Sequence, residues 1–87
     1  MKNGDIIITC DPKVEALYIQ MREGKVAKTV EYDEDIYVDL NSQNHLIGIE
    51  LLNPSEVSPS ELKRIASKYH VPDLRSINPS AVQEVYA

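Results

Sequence analysis

The chain has 87 residues, 43% of them apolar, and a formal net charge of −5. That length makes one domain with a thin core, which buries only about 60% of the surface that the unfolded chain exposes and leaves little material to build a deep substrate pocket. The charge is uneven: residues 1–58 hold 11 acids and 5 bases, whereas residues 59–87 hold 3 acids and 4 bases. The first part therefore repels phosphate backbones, which makes nucleic acid an unfavoured partner and a basic protein a favoured one.

Strand-like segments fill the first 53 residues. From Asp5 to Asp11, Ile6, Ile8 and Cys10 alternate with Ile7, Thr9 and Asp11, the period-two pattern of a strand with one buried face. Asp11-Pro12 ends it, because proline has no N–H for a ladder. Ala16 to Met21 repeats the alternation, with Leu17, Ile19 and Met21 on one side. Gly24 lies in the next connection. A third strand is expected over Val26 to Tyr32, and a fourth over Ile36 to Leu40, with Ile36, Val38 and Leu40 together. Asn41-Ser42-Gln43-Asn44 is a run of turn residues. The fifth strand, Leu46 to Leu52, sets Ile47, Ile49 and Leu51 against Gly48 and Glu50. Such short connections leave no room for crossover helices, so an antiparallel meander of about five strands is expected rather than a parallel sheet.

After Asn53-Pro54-Ser55 the period changes. Ser58-Pro59-Ser60-Glu61 combines an N-cap residue, a proline at the first helical position and an acid three residues after the cap. Leu62, Ile65, Ala66 and Tyr69 then fall on one helical stripe, and Val71-Pro72 closes the helix. Asn78-Pro79 opens a second, shorter stripe of Val82, Val85 and Tyr86. About eight residues cannot hold a helix alone in water, so this segment must dock on its own sheet or on another chain. The expected architecture is α+β: a single domain over 1–87, with a sheet unit (1–53) and an extension of one or two C-terminal helices (54–87).

Signals for chemistry are weak. Cys10 is the one cysteine, which excludes an internal disulfide and a cysteine zinc cluster. Its place beside Ile6 and Ile8 marks it as a small core residue rather than a nucleophile. His45 and His70 lack a partner at ligand spacing, and His70 suits a helix end. The acids Glu31, Asp33, Glu34, Asp35 and Asp39 do not follow a calcium-loop spacing. They are expected to form a solvated turn that keeps a sheet edge from mispairing. With three glycines there is no nucleotide-binding loop. Tyr18, Tyr32 and Tyr37 occupy strand positions from which tyrosines stack on RNA bases, but their acidic surroundings disfavour that use. No catalytic, cofactor-binding or metal-ligating residue is assigned, and no enzyme is expected. The N-terminus carries no secretory pattern, and no apolar run approaches the roughly 20 residues that span a bilayer, so a cytoplasmic protein is expected.

Three stretches together carry a resemblance. Asp11-Pro12-Lys13-Val14-Glu15-Ala16-Leu17-Tyr18-Ile19 is similar to a "YDPExDALYI" opening. Gly24-Lys25-Val26-Ala27-Lys28-Thr29-Val30-Glu31 matches the segment that follows it. Ile36-Tyr37-Val38-Asp39-Leu40 and His45-Leu46-Ile47-Gly48-Ile49-Glu50-Leu51-Leu52 match a closing "VxVDxxxxGxLVGIEIL" hairpin. In order and spacing they resemble the prokaryotic domain-of-unknown-function family 2283 over about residues 6–53. The chain departs from the pattern at Asn44, where the family often has glycine, and at Cys10, where it often has tyrosine. The resemblance implies no catalytic motif. It implies an antitoxin-like setting beside small RNase-like partners, and hence a protein-interaction module that inhibits a small basic protein.

The expected partner-binding stripe is Leu62, Ile65, Tyr69, Val82 and Tyr86. A self-associating homo-oligomer, built by pairing of edge strands and serving a ligand-binding or structural role, is the alternative. A small hydrolase or metal enzyme using Asp33, Glu34, Asp35 and Asp39 is the third reading.

Overall fold

A computed structural model describes residues 6–11 and 16–71. Five strands form one antiparallel sheet: β1 (Ile7–Asp11), β2 (Ala16–Gln20), β3 (Lys28–Asp33), β4 (Ile36–Leu40) and β5 (Leu46–Leu52). Their order across the sheet is β1-β2-β5-β4-β3. Hairpin neighbours therefore pair, and the last strand lies in the middle, bonded to β2 on one side and β4 on the other. The expected antiparallel sheet is present. The third strand starts two residues later than expected: Val26 is exposed, and pairing opens with Ala27 N–H donating to Leu40 O at 2.8 Å.

One helix, α1 (Pro59–Tyr69), follows a short 3-10 turn over Pro54–Glu56. Ser58 holds the N-cap position and Pro59 the first helical position, as the sequence indicates. The side-chain cap itself is not made. The Ser58 hydroxyl pairs with the Ser60 hydroxyl at 2.8 Å, and the contact from Glu61 to Ser58 is its backbone N–H on the Ser58 carbonyl at 3.0 Å. The helix ends on His70 in the left-handed region (φ 58°), and Val71 N–H returns to Ala66 O at 2.9 Å. This is the six-to-one bond of a Schellman closure. Val71 then packs against the core. The second helix expected after Asn78 lies outside the described residues, as do Val82 and Tyr86.

The core fills the space between one sheet face and α1. Leu17, Ile19, Ile36, Val38, Leu46, Ile49 and Leu51 project from the sheet, and Leu62, Ile65 and Ala66 from the helix, all essentially without solvent contact. Ile6, Ile8 and Cys10 extend this layer onto the edge strand, half-buried. Each fully buried aliphatic side chain contributes about 1.5–3 kcal/mol.

Strict alternation fails at one place. Between Asp39/Leu40 and Gly48/Leu46 the register slips, leaving Ile47 as the extra residue of a bulge. Leu46, and not Ile47, therefore joins the main core. Ile47 is buried apart from it, its Cδ1 3.1 Å from where a side chain on Gly24 would begin. Gly24 is at φ +148°, a backbone region that only glycine enters without strain. Among the described residues no helix is long and apolar enough to cross a membrane.

Candidate functional site: the open face of the sheet

Helix α1 covers one face of the sheet, and no described residue covers the other. The strand registers place its side chains in rows. One row runs Thr9, Tyr18, Glu50, Tyr37 and Glu31, and the next runs Ile7, Gln20, Gly48, Asp39 and Thr29. Thr9, Glu50, Glu31, Thr29 and Ile7 are exposed, and Tyr18, Tyr37, Gln20 and Asp39 are half-buried.

A hydrogen-bonded cluster fixes the centre of this face. Gly48 has no side chain, and Tyr18, its diagonal neighbour across β2 and β5, lays its ring over the vacant position. From there the Tyr18 hydroxyl donates to Asp39 Oδ2 at 2.8 Å, and Thr29 Oγ1 donates to Asp39 Oδ1 at 2.6 Å. Four strands, β2 to β5, are thus tied by one glycine, one ring and one carboxylate. Burial first, then the hydrogen bond to Asp39, then the charges of Asp39 and Glu50, push the Tyr18 phenol well above its ordinary value of 10.0. It stays a hydrogen-bond donor through the whole physiological range.

The face is acidic. Its described strand positions carry Glu31, Asp39 and Glu50 and no lysine or arginine. Asp39 spends its oxygens on Tyr18 and Thr29. The carboxylates of Glu31 and Glu50 have no hydrogen-bond or ion-pair partner among the described residues.

The residues singled out in the sequence separate in space. Leu62 and Ile65, expected to meet a partner, are fully buried in the chain's own core and present nothing to the surface. Their side chains are spent on the apolar face of the sheet that α1 covers. Tyr69 is half-buried at the helix end, where Lys68 Nζ stands 5.7 Å from the ring centres of both Tyr69 and Tyr32. Val82 and Tyr86 fall outside the described residues. Of the three strand tyrosines, Tyr18 and Tyr37 share the open face, while Tyr32, the extra residue of a bulge in β3, packs against the core on the other side.

The acidic run is also divided. Glu31 and Asp39 belong to the open face, while Asp33, Glu34 and Asp35 form the β3–β4 turn, where Asp33 Oδ1 accepts from Glu34 N–H at 2.8 Å. Among the described residues no three such side chains converge to hold a metal ion. Beside this turn lies a shallow cleft of about 170 Å³ between Asp33–Ile36, Glu56, Val57 and Glu61. Small-molecule sites typically occupy about 300–1,000 Å³ and are mostly apolar. A cleft this small, lined by five carboxylates, suits neither criterion.

Glu50 and Gly48 are the site residues that sequence reasoning passed over. Alternation puts both on the face opposite Ile49, but their neighbours Tyr18 and Tyr37 lie 32 and 13 positions away from Glu50 in the chain. Only the central position of β5 brings the three together.

A family model described as "Protein of unknown function (DUF2283)" matches residues 7–55. The match spans all five strands and the start of the 3-10 turn. No curated protein and no solved structure matches the chain.

Proposed function

The chain belongs to the DUF2283 family, whose description assigns no activity, and from that premise we propose that it is a protein-interaction module that holds a small basic partner protein on the open face of its sheet, as an antitoxin-like inhibitor does. The observation that supports this is the anionic, tyrosine-bearing face that no described residue covers. Among the described residues its three carboxylates have no cation beside them, and the Gly48–Tyr18–Asp39 cluster ties the strands together beneath. Tyrosine offers large contact area at low entropy cost, and uncompensated charge steers an oppositely charged protein. Catalysis is a poorer reading. No described nucleophile, base and pocket stand together, and the cleft beside the β3–β4 turn is small and polar.

The test is affinity capture from the native host, with the tagged chain and a charge-neutralised E31Q/E50Q variant in parallel. Both substitutions lie at exposed positions, so folding is retained. A basic protein held by the natural chain, released by the variant and, once purified, rebound with an affinity that falls with salt supports the reading. Equal capture by both baits removes the open face from it.

A further inference from the structure

Building on that reading, we infer that Glu50, set between Tyr18 and Tyr37, takes an arginine side chain of the basic partner. The three residues are direct cross-strand neighbours in one row, Tyr18 opposite Glu50 and Glu50 opposite Tyr37. Such neighbours have β-carbons about 4.5–5.5 Å apart. The carboxylate is exposed and without a side-chain partner among the described residues. The two tyrosines are half-buried, and the Tyr18 ring leans over Gly48 in the next row, anchored through its hydroxyl to Asp39. A guanidinium is flat: it donates two parallel N–H bonds to a carboxylate while its face lies against an aromatic ring. A lysine ammonium is a point charge that meets one demand at a time. An acid flanked by two rings therefore discriminates between the two cations in a way that an acid alone does not.

The occupant follows from charge. A second copy would bring the same carboxylates against Glu31, Asp39 and Glu50, like against like. Residues 72–87 of the chain carry two acids and one base, Arg75, which gives that segment no net complement to the face. A separate basic protein supplies what both lack.

The experiment titrates the full-length chain, followed by NMR at low salt, with two flexible peptides of equal charge that differ only in carrying arginine or lysine. The arginine peptide is expected to bind about two- to fivefold more tightly and to shift the Tyr18 and Tyr37 ring signals. E50Q should bring the two peptides to equal affinity, and Tyr37→Leu should shrink the difference. E31Q should weaken both peptides alike and keep the preference. Equal affinity of both peptides for the natural chain, with both weakened by E31Q/E50Q, overturns the arginine site and leaves the basic-partner reading standing. Absence of binding and of any ring shift overturns both. Tighter binding of the arginine peptide by R75Q than by the natural chain assigns the site to the chain's own Arg75 and overturns the partner.

Discussion

Gly48 and Tyr18 form a unit that neither residue forms alone. The ring occupies the volume that any side chain at 48 would need, so Gly48→Ala must displace it and break the bond to Asp39. We expect this single methyl to cost about 1–3 kcal/mol in a denaturant titration, the range for an overpacked site. Tyr18→Phe keeps the ring and removes only the hydroxyl, so its cost should be nearer 1 kcal/mol. The two variants also differ in alkali. The folded phenol holds its proton more tightly than the unfolded one, so its contribution to stability is full below pH 10 and declines above it, where the unfolded chain releases a proton that the folded chain retains. Stability measured from pH 9 to 11 should therefore fall more steeply for the natural chain than for Tyr18→Phe. Two left-handed residues offer the opposite lever. His70 (φ 58°) and Asn44 (φ 65°) occupy positions where glycine has no β-carbon to strain. Asparagine tolerates the φ of position 44 better than most side chains. His70→Gly should raise stability by up to about 1 kcal/mol and Asn44→Gly by less, read from the shift in denaturation midpoint.

The strands and the helix were largely legible as separate elements. β4 and β5 have the bounds that alternation predicts: Ile36, Val38 and Leu40 are buried with half-buried residues between them, and buried Ile49 and Leu51 flank exposed Glu50. α1 begins at Pro59, where its start signal stands. What periodicity does not report is a slip in register. It assigned Ile47 to the core and passed over Leu46, since nothing in the residue types marks the bulge. It also does not report what an apolar stripe packs against. Leu62 and Ile65 gave the same pattern whether they faced a partner or the sheet. The open-face cluster was invisible for a further reason: it needs Tyr18, Glu50 and Tyr37 side by side, and that adjacency depends on strand order. The burial of Leu62 and Ile65 sets its own test. Leu62→Ala and Ile65→Ala should each cost about 2–5 kcal/mol and lower the melting temperature of the whole sheet, because they remove fully buried side chains from the one shared core.

At the scale of the molecule, the two outer strands are protected unequally. β3 carries Lys28, Glu31 and Asp33 along its length and a bulge near its end, all features that discourage pairing with a foreign strand. The Ile7-Ile8-Thr9-Cys10 part of β1 has no such charge, and Ile7 is half-exposed. The position of β5 has a consequence of a different kind, in time rather than in space. During synthesis the β1–β2 and β3–β4 hairpins emerge first, yet they do not pair with each other in the finished sheet; each waits for the strand that will separate them. Two-stranded hairpins are marginal in water. Until residues 46–52 are made, the growing chain therefore holds two unjoined halves, and the arrival of β5 closes both at once, just ahead of the helix that seals the core. A chain that lacks β5 or α1 leaves the apolar face of the sheet open and adhesive, and it becomes safe from aggregation only once both have packed.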